Sequence, residues 1–152
     1  KIMANTSAIC SSFKQELLQG KHNFASSGGD TFKIALFDSD ATLGAATTGY
    51  STSEEITNTS GTAYTAGGET LTRTGVGLTG TTAFTDFSDV TFSSASFTAN
   101  AALIYNTTTG TSTGTTNAVC AIAFGGDKTA SNGTFKIEFP ANDATAAIIR
   151  LA

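Results

Sequence analysis

The chain has 152 residues, of which 39% are hydrophobic and only 13% charged, and it carries a net charge of −4. Eight Lys and Arg leave little charge to spread over phosphates, which argues against nucleic-acid binding. No apolar run reaches the roughly eighteen residues of a membrane-spanning helix. One His, two Cys and no Trp leave little for acid–base, metal or sugar-stacking chemistry.

The length suits a single domain over residues 1–152 that buries roughly 70% of its unfolded surface. Thr is the commonest residue, with 29 copies; β-branching favours extended chain, and the hydroxyl is tolerated on a wet face. The opening residues Lys1 to Ser7 contain no long apolar stretch and do not read as a signal peptide; Met3-Ala4 reads as an initiator followed by a small residue.

Residues 6–20 read as the one helix. Thr6 or Ser7 is placed to cap it, Ile9, Phe13 and Leu17 recur at helical spacing, and Gly20 is placed to end it. Lys14, Gln15 and Glu16 fall largely off that stripe. A helix this short needs a packing partner, either the protein's own sheet or a neighbouring subunit.

The period then changes to two, and residues 31–152 read as a β domain. Phe32, Ile34 and Leu36 alternate with Lys33, Ala35 and Phe37, the pattern of a half-buried strand. Ala41 to Thr62 reads as a long loop, of the kind that usually makes interactions. Strand-like runs follow at Leu71–Thr74, Val76–Thr79, Ala83–Phe92, Phe97–Tyr105, Ala118–Phe124, Thr134–Phe139 and Ala147–Leu151. Turns are expected at Gly67-Gly68, Gly125-Gly126-Asp127 and Ser131-Asn132-Gly133, with a polar Thr/Gly connection over Asn106 to Thr116. About eight strands at such spacing describe a mainly β, sandwich-like domain with one N-terminal helix. Its expected core includes Phe13, Leu17, Ile34, Leu36, Phe135 and Ile137.

Few constellations suggest chemistry. Asp38, Asp40 and the pair Glu54-Glu55 are candidate oxygen ligands for a hard cation, but no spaced loop with a terminal bidentate Glu follows. Asp86 and Asp89 imitate a carboxylate pair without the cleft that glycoside hydrolysis needs. His22, at the helix exit, is placed to meet the negative end of the helix dipole. Cys10 and Cys120 read as buried small hydrophobes, and a disulfide between them would close a loop of more than a hundred residues. Asn5, Asn58, Asn106 and Asn132 fit the N-x-S/T pattern, as expected in a Thr-rich chain. No catalytic residue, metal or cofactor is therefore assigned.

Several segments carry a resemblance. Met3-Ala4-Asn5-Thr6-Ser7-Ala8-Ile9-Cys10, Asp30-Thr31-Phe32-Lys33-Ile34, Tyr64-Thr65-Ala66-Gly67-Gly68, Ala102-Leu103-Ile104-Tyr105-Asn106 and Gly133-Thr134-Phe135 resemble a family of small virion structural proteins of tailed bacteriophages. The similarity runs nearly end to end. It implies a particle component made in the bacterial host cytoplasm, with no catalytic residues to carry over. A small, low-charge β domain suits a capsid cement or decoration protein, a homo-oligomer on the capsid surface that contacts the major capsid protein at local symmetry axes, without nucleic acid or membrane. Tail or neck components and a receptor- or carbohydrate-binding module of a fibre are the alternatives, the last wanting exposed aromatics beyond Tyr50, Tyr64 and Tyr105. Ala41–Thr62 and Asn106–Thr116 are the expected contact segments.

Overall fold

The computed structural model describes residues 4–57, 59, 64–108 and 117–152. Among them the elements run β1 (Ala8–Ile9), α1 (Ser11–Leu18), β2 (Phe32–Phe37), β3 (Glu69–Leu71), β4 (Arg73–Thr79), β5 (Thr82–Phe87), β6 (Val90–Asn106), β7 (Ala118–Ile137) and β8 (Ile149–Leu151). They form two antiparallel sheets, one ordered β1-β7-β6-β2-β3 and one ordered β4-β5-β8. The mainly β, sandwich-like reading with one short helix holds.

The helix is shorter than its pattern promises. Thr6 and Ser7 do not cap it. Thr6 donates its backbone N–H to Leu43 O at 2.9 Å, and Ser7 Oγ accepts from Ala123 N–H at 2.9 Å. Ala8 and Ile9 pair with Ala121 and Cys120, so tertiary pairing overrides the capping signal, and extended Cys10 takes the N-cap position. The C-terminus behaves as expected. Gly20 has φ 67°, and bonds from Gly20 N–H to Leu17 O and from Lys21 N–H to Glu16 O close a Schellman motif. Phe13 is buried, Leu17 partly so, and Leu18 is 93% exposed. Glu16, expected off the apolar stripe, is buried instead.

β2 lies between β6 and β3, and Ala35 and Phe37 are buried together with Phe32, Ile34 and Leu36. It is therefore covered on both faces rather than half-buried. Where β3 ends, the long loop continues the edge: Ile56 N–H bonds Leu36 O at 3.1 Å and Asp38 N–H bonds Glu54 O at 3.0 Å.

β6 and β7 form one long ribbon, pairing from Tyr105↔Ala118 to Val90↔Ile137. Two of the expected turns lie inside β7. Residues 124–127 loop out opposite Asn100 alone, and Ser131 and Asn132 oppose Ser96 alone. Both are excursions after which the same partner strand is resumed, because Gly and Asn mark a bulge as readily as a turn. The first is clamped by Asn100 Nδ2, which donates to Asp127 Oδ1 at 2.8 Å. The connection after Asn106 is described only at residues 107 and 108 and from residue 117; the rest of Asn106–Thr116 lies outside the described residues.

Two aromatic clusters fill the core. Phe24 stacks on Phe32 at 4.5 Å between ring centroids, with Phe13 and Phe87 beside them. At the far end of the ribbon, Phe97 and Phe135 meet at 4.9 Å, flanked by Phe92 and Tyr64. Of the expected core, Phe13, Ile34, Leu36 and Ile137 are buried, and Leu17 and Phe135 are partly buried against it.

The cysteines are neighbours in register, since Ile9 pairs with Cys120 and Cys10 N–H bonds Val119 O at 3.0 Å. Cys10 therefore stands beside Val119, one position out of register with Cys120. Both thiols are free and buried. Burial pushes the Cys10 thiol up to about 11 and the Cys120 thiol higher still. Only a thiolate alkylates readily, so iodoacetamide at mildly alkaline pH is expected to leave the native protein unlabelled and to label both residues in denaturant. A native adduct, read by mass spectrometry, would contradict this packing.

Candidate functional site

Four groupings of chemistry-bearing residues stand out, and the first was not legible in the sequence. Glu55 is only 5% exposed. Its Oε1 accepts from Tyr64 Oη at 2.6 Å and from Gly67 N–H at 2.7 Å, and its Oε2 accepts from Tyr50 Oη at 2.7 Å. Tyr105 Oη donates to Gly67 O at 2.7 Å, and its ring stacks on Tyr50 at 4.5 Å. Burial, reinforced by the Glu55 charge, pushes the Tyr105 phenol up to about 12 and raises those of Tyr50 and Tyr64 too. All three hydroxyls thus stay protonated donors at neutral pH. The Gly67-Gly68 turn is held against β2 here. A Cβ on Gly68, at φ 72°, would stand 1.8 Å from Ile34 O, so only Gly permits the approach. The cluster ties the long loop to β2, β6 and the turn before β3.

The second grouping is centred on His22, which is buried against the Phe13 ring at 4.9 Å. Asn106 fixes its tautomer. Asn106 Oδ1 accepts from Thr108 N–H at 2.9 Å, and Nδ2 donates to Asp30 Oδ2 at 2.7 Å. The amide nitrogen therefore faces His22 Nδ1, at 3.0 Å, and Nδ1 must accept. The ring proton sits on Nε2, which donates to Glu16 Oε2 at 2.7 Å. Asp30 Oδ2 also accepts from Asn23 N–H at 2.9 Å, and Arg73 Nη1 donates to Asp30 O. His22 thus meets a carboxylate rather than the helix dipole. With both ring nitrogens occupied, it joins the helix, the main sheet and β4 as a structural knot.

Asp38, Asp40 and Glu54 come together, with ligand oxygens all within 4.8 Å of one another. Glu55, paired with Glu54 in the sequence, turns inward instead. Asp40 and Glu54 are exposed and Asp38 half-buried. The triad supplies only three of the six to eight oxygens that calcium takes. Asp86 and Asp89 separate. Asp86 is fully buried, accepting from Phe87 N–H at 2.8 Å and Ile148 N–H at 3.0 Å, and burial raises its pKa above the usual carboxylate range. Asp89 lies at the surface, where Lys136 at 2.8 Å holds its pKa below that range.

The fourth grouping is apolar. Pairing of Leu78 with Ala83 and of Ala83 with Leu151 makes a row across the small sheet. Between this end and α1 lies a groove of about 450 Å³ lined by Leu17, Phe24, Val76, Ala83, Ile149 and Leu151. Val76 and Leu151, which line it, and Leu78, paired with Ala83, are 64%, 57% and 70% exposed. Among the described residues no helix is long and apolar enough to cross a membrane. Of the Asn sequence motifs, Asn106 is buried, Asn5 is bonded to Asp38 O and Asn100, Asn132 is exposed, and Asn58 lies outside the described residues. Comparison with protein-family models, curated proteins and solved structures gives no match in any of the three.

Proposed function

We propose that this chain is a structural protein of a tailed-bacteriophage particle, a capsid cement or decoration protein bound to the major capsid protein. The observation that carries the reading is the exposed apolar row of Val76, Leu78 and Leu151 on the small sheet, beside the groove. Single exposed apolar residues are ordinary, whereas a cluster beside a groove marks a surface that another protein covers. Its position on a small sheet, held to the body by the His22 knot, suits a docking module. The net charge of −4 suits an outer surface away from packaged DNA. The sequence resemblance supplies the phage context.

The test uses particles. Deleting the gene should leave filled heads that release DNA at lower temperature, and added protein should restore the parental temperature. The double variant Leu78→Asp, Leu151→Asp should fold like the parent, because both side chains already face solvent, yet fail to restore it. Unchanged heat stability with lost adsorption would overturn the cement reading in favour of receptor binding, and tailless heads would overturn it in favour of a tail role.

A further inference from the structure

The chain has eight Asn and one Asn-Gly step, Asn132-Gly133. It lies in the β7 bulge where Ser131 and Asn132 together oppose Ser96. Asn132 is exposed and has φ 49°, a conformation that Asn accepts better than most residues. Ser96 Oγ accepts its backbone N–H at 2.9 Å, while its side-chain amide makes no hydrogen bond among the described residues. The residue also borders an open groove of about 430 Å³ beside Phe97 and Thr129, so water reaches it. Around Gly133, a built Cβ meets nothing nearer than Ser131 O at 3.7 Å, so the backbone there is uncrowded.

We propose that Asn132 is a site of spontaneous deamidation. The Gly133 backbone nitrogen, after losing its proton to a base in solvent, bonds to Asn132 Cγ. The Cγ–Nδ2 bond breaks and that nitrogen leaves as ammonia, closing a five-membered imide. Water then adds to one of the two imide carbonyls, and the ring opens to Asp or to the isoaspartyl form. The net change is loss of ammonia and gain of water, with no oxidant or reductant. Glycine matters because a Cβ would crowd the attacking nitrogen. The bulge matters because Asn132 itself stands outside the ladder, its backbone N–H held by Ser96 Oγ instead of a strand carbonyl, and regular pairing resumes only at Gly133 with Ala95. Competing sites lack both features: the amides of Asn5, Asn100 and Asn106 are bonded, and each precedes a residue with a side chain. Either product adds a carboxylate at the groove. The isoaspartyl product also lengthens the β7 main chain by one carbon opposite Ser96.

Aged full-length protein tests this by peptide mapping at mildly alkaline pH. Asn132 is expected to convert ahead of every other Asn. Gly133→Ala should keep the fold, given the 3.7 Å clearance and a φ outside the left-handed region, and should slow the conversion about tenfold, equivalent to about 1.4 kcal/mol in barrier. Native Asn132 that stays intact while the same site converts in denatured protein would overturn the proposal. An equal rate in folded Gly133→Ala would also overturn it.

Discussion

Glu55→Ala is expected to lower the domain's stability by about 3–5 kcal/mol, because it leaves buried donors facing no acceptor. Tyr50, Tyr64 and Gly67 all donate to this one carboxylate, so its removal frees the loop edge that continues from β3 along β2. Two readouts are expected to move together: the denaturant midpoint, and protease cleavage between Asp38 and Ile56. The adjacent Glu54→Ala is the control. Glu54 is exposed, and at its φ of 60° Ala carries the same Cβ as Glu, so its loss should change stability by less than about 1 kcal/mol. Equal effects at the two positions would mean that Glu55 is not the hub.

Phe13→Ala is expected to cost about 3–5 kcal/mol, the range for truncating a fully buried aromatic ring. The ring is 1% exposed and contacts His22 and Phe24, so the cavity opens between α1 and the His22 knot. Leu18→Ala, five residues on at 93% exposure, should stay within about 0.5 kcal/mol of the parent. A Phe13→Ala loss below about 1 kcal/mol, with an unchanged denaturant slope, would show that the helix packs elsewhere.

What could be read in advance follows from how local each signal is. The alternation of Phe32, Ile34 and Leu36 marked β2, and the Schellman glycine Gly20 marked the helix end, because both depend on neighbouring residues alone. The helix start was misread because Ser7 and Ala8 are claimed by β7, more than a hundred residues away. Gly125-Gly126 and Asn132-Gly133 looked like turns because a bulge asks for the same backbone freedom. Glu16 could have been found: it stands three residues after Phe13, on the same helical face, and His22 is the chain's one histidine. Glu55 could not. Its partners Tyr50, Tyr64 and Gly67 share no period with it, and its neighbour Glu54 has the same side chain and the opposite fate.

The most direct test of the account is quantitative mass spectrometry of purified particles, with heads and tails separated. A cement protein predicts that this chain copurifies with heads in a fixed ratio to the major capsid protein. The ratio should collapse when particles are assembled with the Leu78→Asp, Leu151→Asp variant. Recovery in the tail fraction alone, or absence from particles altogether, would contradict it.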